Sequence, residues 1–161
     1  MLPKWHILFG ALFTIVLYFA LNVSFFHSLI FFFSSFLIDI DHCFYYVYRK
    51  KNFSFKRAYN WFLLLENKFY SLPKGKRRRY DYGFCIFHGI EVLLILLLLS
   101  LIPELSFFFF IFLGFLFHLV QDMLNAICKG GNPFMVLSII YKITCGKYKI
   151  NLEDRIENTS Y

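Results

Sequence analysis

The stretch Asp39-Ile40-Asp41-His42 places two carboxylates and an imidazole between the apolar run Phe25–Ile38 and the aromatic run Cys43–Tyr48. A charged side chain this close to hydrocarbon costs several kcal/mol unless something compensates it. A Lys or Arg on a facing helix is the usual partner, but the predicted apolar spans contain neither. A bound metal cation is the remaining explanation, and it requires further ligands elsewhere in the chain.

The composition indicates a membrane protein. Hydrophobic residues make up 59% of the 161 positions, and 24 positions are Phe. A soluble core of this size cannot hide so much apolar surface, and the continuous apolar runs are typical of multi-pass membrane proteins. We expect one membrane domain over residues 1–150 and a polar tail over residues 151–161.

The apolar runs predict an all-α protein with about four transmembrane helices. These runs are Trp5–Leu21, Phe25–Tyr48, Phe84–Ile102 and Phe107–Ile127. The polar connection 52–82 contains Phe53–Tyr70, which mixes aromatic and charged residues without Gly or Pro. This pattern favours an amphipathic helix on the membrane surface.

Basic residues are unevenly distributed along the chain. Of 17 Lys and Arg residues, 11 lie between Arg49 and Arg79, 5 follow Asp122, and only Lys4 precedes the first apolar run. The positive-inside rule therefore predicts a cell-membrane protein with both termini and the long connection in the cytoplasm. The densest cluster would contact anionic lipid headgroups or a substrate phosphate, and no nucleic-acid partner is expected. It consists of Lys74, Lys76, Arg77, Arg78 and Arg79.

This topology brings the ionisable residues of all four predicted spans to the cytoplasmic side of the membrane. His88 and Glu91 are three residues apart, and His118 and Asp122 are four apart, so each pair shares one face of an ideal helix. Helical bundles build carboxylate-bridged metal sites from such pairs. The candidate metal ligands are His6, Asp39, Asp41, His42, His88, Glu91, His118 and Asp122.

Asp41 is the exceptional member, because it points about 200° away from Asp39 on an ideal helix. Either the helix is distorted at this point, or Asp41 supports other ligands from behind. Four carboxylates with neutral imidazoles carry four negative charges, which two divalent cations would neutralise. Mixed nitrogen and oxygen ligands favour one or two ions of Zn or Mn.

Two simpler interpretations stand beside metal binding. A single His in an apolar helix is more often a hydrogen-bonded structural residue than a ligand. The His and carboxylate pairs could also hydrogen-bond one another as neutral acids or relay protons. His27 falls on the opposite side of the membrane and is excluded from the site.

The order of these residues resembles the YdjM-like inner-membrane proteins, a family of metal-dependent hydrolases. The matching pieces are His6, Asp39-Ile40-Asp41-His42, His88-Gly89-Ile90-Glu91 and the stretch from Gly114 to Asp122 with His118 within it. The family's third motif usually reads like His-Arg-Gly-x-Thr-His-Ser, and this chain departs from it. The resemblance implies a metal-dependent hydrolase acting at the membrane face.

We therefore expect a membrane-bound hydrolase in which a metal-activated water attacks a phosphoester or similar ester, possibly a lipid phosphate, with Glu91 or Asp41 as general base. An ion or proton carrier that uses the same buried groups is one alternative. A structural scaffold that recruits partners through its basic connection is another.

Overall fold

The computed structural model describes residues 3–77, 80–81, 86–131 and 150–151. The fold is helical, as predicted. The helices are α1 (Pro3–Phe19), α2 (Phe25–Leu37), α3 (Ile40–Lys50), α4 (Phe55–Ser71), the short α5 (Lys74–Arg77), α6 (Ile90–Ser100) and α7 (Phe108–Cys128), with a 3-10 turn at Pro103–Leu105. Two-residue strands, β1 (Tyr80–Asp81) and β2 (Ile150–Asn151), pair in parallel.

Local sequence signals account for several helix boundaries. Pro3 opens α1, where a missing backbone N–H costs nothing. The Ser24 side chain caps α2 by accepting from His27 N–H, and Ser54 caps α4 by accepting from Arg57 N–H. The predicted amphipathic helix is present as α4, which buries Ala58, Leu65 and Phe69.

The third apolar run forms a shorter helix than the sequence predicted. Residues 86–89 are bends and turns, and α6 begins only at Ile90. Gly89 has extended backbone angles, φ −91° and ψ 142°, so it ends the non-helical segment and caps the helix. His88 therefore lies outside α6, and the expectation that His88 and Glu91 share one helical face is wrong.

Close helix packing around α2 organises the core. This helix packs against α1 and α7, while α6 packs against α7 and α3 against α4. A Cβ at Gly114 would lie 2.6 Å from Ser34 Cβ, and a Cβ at Gly10 would overlap Ser35 Oγ. Glycines at these two contacts therefore let α1 and α7 approach the α2 backbone closely, as small residues do in membrane helix pairs.

Apolar side chains make up much of the exposed surface, and several polar groups are buried. His6, Ser35 and His118 are completely buried, whereas Leu12 and Leu98 are more than half exposed. Two helical segments, Phe25–Lys50 and Phe108–Cys128, are long and apolar enough to cross a membrane, and α1 and α6 are shorter apolar helices. Buried polar groups inside an apolar exterior are typical of proteins that contact lipid.

Candidate metal site

The α2–α3 helix is broken at the Asp-Ile-Asp-His stretch. Asp39 N–H donates to Phe36 O at 3.2 Å, and His42 N–H donates to Asp39 O at 3.1 Å, so both bonds span three residues instead of four. This 3-10 geometry rotates successive side chains relative to an α-helix. The distortion therefore lets Asp39, Asp41 and His42 all face the same cluster.

The break also fixes the orientation of His118. In an unbroken helix, Ser35 O would accept from Asp39 N–H, but it instead lies 2.9 Å from His118 Nδ1. A carbonyl can only accept, so Nδ1 carries the proton and the neutral ring presents an unprotonated Nε2. Metal-binding histidines are commonly held by such a bond on the other ring nitrogen.

One group of possible ligands combines α1 and α7. It consists of His6, His118 and Asp122, whose donor atoms lie within 4.8 Å of one another. His6 Nε2 is 3.2 Å from Asp122 Oδ1, and His118 Nε2 is 3.3 Å from Asp122 Oδ2. The two imidazoles stack with ring centroids 3.8 Å apart. The first and last long helices thus converge on this group.

A second group combines the broken helix with the segment before α6. It consists of Asp39, His42 and His88. Asp39 Oδ1 lies 3.5 Å from both His42 Nε2 and His88 Nε2. Three imidazole nitrogens surround this oxygen, because His118 Nε2 is also only 3.4 Å away. The two groups therefore adjoin, with Asp39 and His118 at their boundary.

Asp41 occupies the supporting position that the sequence left open. Its Oδ2 lies 3.1 Å from His88 Nδ1 and accepts from Phe87 N–H at 3.1 Å. The carboxylate thus holds the imidazole from the nitrogen opposite to the one that faces Asp39. It also ties the non-helical segment 86–89 to α3.

The distances within the cluster fit metal coordination better than direct hydrogen bonding. Ligand atoms about 2.1 Å from a tetrahedral metal lie about 3.4 Å apart. The contacts of Nε2 atoms with the oxygens of Asp39 and Asp122 span 3.2 to 3.7 Å. Among the described residues, Nε2 of His6, His88 and His118 has no hydrogen-bond partner. Buried polar atoms are normally satisfied, so a cation suits this cluster.

The predicted ligand Glu91 lies in the first turn of α6 and belongs to neither group. The structure brings the other seven predicted residues together. His27 lies at the far end of α2, where its ring stacks on Phe110. The sequence offered one signal for the altered third segment, since a Gly directly before an apolar run is a common helix cap.

The described residues of the predicted basic cluster differ in their surroundings. Lys74 and Lys76 are exposed. Arg77 is committed to backbone carbonyls, with bonds to Leu72 O at 2.8 Å, Lys129 O at 3.0 Å and Gly130 O at 3.1 Å. Arg78 and Arg79 lie outside the described residues.

No family profile, curated protein or solved structure matches this chain. The buried His and Asp groups of this fold could hold a metal ion.

Proposed function

We propose that this protein is a membrane-bound, metal-dependent hydrolase of phosphoesters. The observation that carries the proposal is the buried cluster in which three Nε2 atoms without hydrogen-bond partners among the described residues face Asp39 and Asp122. Helices α1, α3 and α7 and the segment before α6 contribute to it, and its His6 and His118 are completely buried. The resemblance to YdjM-like proteins supports the same class of chemistry.

The charge of the cluster favours two divalent cations. Asp39, Asp41 and Asp122 carry three negative charges, and the imidazoles are neutral when they bind metal. One cation would leave a net negative charge in an apolar surrounding, whereas two cations and one hydroxide would balance it. Mixed imidazole and carboxylate ligands favour Zn or Mn. When bound, such ions lower the pKa of water and polarise a phosphoryl oxygen.

The side chains divide the remaining tasks. Asp41 Oδ2 is engaged by Phe87 N–H and His88 Nδ1, and Asp41 Oδ1 faces His42 Nδ1 at 3.6 Å, so we assign Asp41 the positioning of these two imidazoles. Asp39 Oδ2 is buried and has no hydrogen-bond partner among the described residues. We assign it the acceptance of a proton from the attacking water, a task for a carboxylate within reach of the reacting centre.

The same proposal places the protein in the cell membrane with four spans and cytoplasmic termini. Phe25–Lys50 and α7 have sufficient length. At 11 residues, α6 covers only about 16 Å, and the segment 86–89 would extend it. Non-helical backbone at membrane depth needs polar partners inside the protein, and Asp41 supplies one to Phe87 N–H. The basic residues from Arg49 to Arg79 would then face the cytoplasm.

Elemental analysis of the purified full-length protein, prepared without chelators, tests the metal site. We expect stoichiometric Zn or Mn in the wild type and its loss in Asp39→Ala and His118→Ala. His27→Ala is the matched control, because His27 is a half-buried histidine at the far end of α2 and outside both groups. Phosphate release from phosphatidic acid should depend on the same residues.

Metal-free wild-type protein at neutral pH would overturn the proposal. Flux of protons in proteoliposomes that depended on Asp39 and Asp122 would then favour the carrier. A protein that binds metal, loses its fold on chelation and releases no phosphate would instead favour a structural scaffold.

A further inference from the structure

The two groups of possible metal ligands differ in their access to the outside of the protein. In the first group, His6 and His118 are completely buried, and the Asp122 side chain is 13% exposed. In the second group, His88 is buried, but the His42 side chain is 33% exposed. An ion in the second group is therefore the one that water or a chelator would reach first.

The first group is held by closely packed helices. His6 belongs to α1, His118 and Asp122 belong to α7, and both helices pack against α2. The backbone carbonyl of Ser35 on α2 lies 2.9 Å from His118 Nδ1, and the ring of His6 stacks on that of His118. The ligands of this group separate only when packed helices separate, which is among the costlier local openings of a fold.

The second group is held by less regular backbone. Asp39 and His42 lie at the 3-10 break between α2 and α3, and His88 lies in the non-helical segment before α6. The Asp41 carboxylate joins this segment to α3 through Phe87 N–H and His88 Nδ1. Opening a short segment costs less free energy than separating packed helices, so the second group should release its ion faster.

Repulsion between the ions also makes the second one bind more weakly than the first. The two groups adjoin, with Asp39 Oδ1 3.4 Å from His118 Nε2 and Asp122 Oδ2 3.7 Å from His88 Nε2. Two divalent cations held this close together repel each other. The first ion meets three carboxylates, whereas the second ion meets a cluster that the first has largely neutralised.

We propose that the first group holds a resident ion and that the second group holds an exchangeable ion, on the side of the cluster where water and substrate enter. Structural metal sites are closed, whereas catalytic sites keep one coordination position open. His42 marks the open side, and its ring lies 4.7 Å from that of Phe62 on α4. The two ions rest on the metal binding of the proposed function, but the order of their release does not depend on hydrolysis.

Release of Zn from the full-length protein in detergent tests this order. The protein is loaded with Zn, freed of excess metal by gel filtration and mixed with a chromogenic chelator that records release over time. We expect two phases of one equivalent each, with rates that differ by more than about tenfold because the segments that open differ in local stability. A single phase that contains both equivalents, or a total of one equivalent, would overturn the proposal.

His42→Ala assigns the two phases to the two groups. It should lose the fast phase and retain one slowly released equivalent, because the first group keeps all of its ligands. If the alanine variant unfolds, His42→Gln serves the same test, since it keeps more of the side-chain volume beside Phe62. A folded variant that retains the fast phase, or that loses the slow one, would contradict the assignment.

Two further points of design make the comparison specific. Asp39 is unsuitable as the test residue, because its Oδ1 lies beside His118 Nε2 of the first group as well as His42 Nε2 of the second. His27→Ala is the matched control, because His27 is a half-buried histidine outside both groups, and both phases should stay unchanged.

Phosphate release from phosphatidic acid, measured on the same samples, separates this proposal from the hydrolase. Two unequal phases of Zn release without any phosphate release would remove the hydrolase and keep the order of the ions. Phosphate release by a protein that loses both ions in one phase would do the reverse. In an active hydrolase, activity should disappear with the fast phase and return when Zn is restored, and activity that persists with the slow ion alone would contradict the open side.

Discussion

Asp41 and Asp39 are two residues apart, yet they serve the cluster differently. Asp39 Oδ1 lies among three Nε2 atoms, whereas Asp41 Oδ2 contacts the rear nitrogen of His88 and a backbone N–H. The first arrangement is that of a ligand, and the second is that of a residue that orients a ligand. Substitution of Asp39 should therefore abolish metal binding, whereas substitution of Asp41 should only lower the metal affinity.

We predict that Asp41→Ala lowers metal affinity about 10- to 100-fold, the usual effect of losing a group that orients a ligand. Asp41→Asn should lower the metal affinity less, because its amide oxygen can still accept from both Phe87 N–H and His88 Nδ1–H. Metal titration of purified protein measures the difference. Asp41→Ala with wild-type affinity would contradict the supporting role.

At the scale of elements, the α2 surface at Ser34 and Ser35 determines how closely α7 can approach. A Cβ at Gly114 would lie 2.9 Å from Phe31 O and 3.0 Å from Ser35 N, both backbone atoms that cannot rotate away. The same contact places His118 Nδ1 on Ser35 O. Helix spacing and ligand orientation are thus set together.

We predict that Gly114→Ala destabilises the protein by about 1–3 kcal/mol, because overpacking forces α7 away from α2. The affinity for metal should fall as well, since His118 lies one turn further along α7. Thermal unfolding in detergent and elemental analysis measure the two effects. Gly75→Ala is the control, because a Cβ there meets nothing within 4 Å. Equal stability of the two variants would refute the argument.

Arg77 joins the C-terminal ends of α4 and α7, where helix carbonyls lack partners. It bonds to Leu72 O from one side and to Lys129 O and Gly130 O from the other. We predict that Arg77→Ala lowers the free energy of unfolding by about 1.5–3 kcal/mol, as expected for bonds from a charged donor. Thermal unfolding measures it, and Lys76→Ala, at an exposed position, should leave the midpoint unchanged.

For the whole molecule, the exposed apolar side chains and the two long apolar helical segments suggest association with a membrane. Under the proposed topology, the candidate site would lie near one side of the membrane, because His6 follows the start of α1 and Asp122 precedes the end of α7.

Cysteine labelling tests the orientation. In a cysteine-free background, we expect Ser71→Cys to react with a membrane-impermeant maleimide only in inverted vesicles. Asn22→Cys should react only in right-side-out vesicles, because the connection between α1 and α2 has no basic residue. Both positions are exposed. Labelling of both cysteines from the same side would contradict the proposed topology.

The sequence by itself determined the helical class and most element positions. The apolar run Phe107–Ile127 predicted α7 to within one residue at each end, and the polar tetrad predicted either a distorted helix or a supporting Asp41. Hydropathy and caps are local properties, so they can be read along the chain.

Only the tertiary structure decided which groups meet. The placement of His88 ahead of α6, the bond between Ser35 O and His118, and the burial of a Gln121 amide with no hydrogen-bond partner among the described residues depend on how closely the helices approach. The local pattern around Ser35 and Gln121 carries no such information, and Gly89 signals only the cap of α6. Contacts between residues distant in sequence arise from packing, because a backbone carbonyl freed by one helix becomes the partner of an imidazole on another.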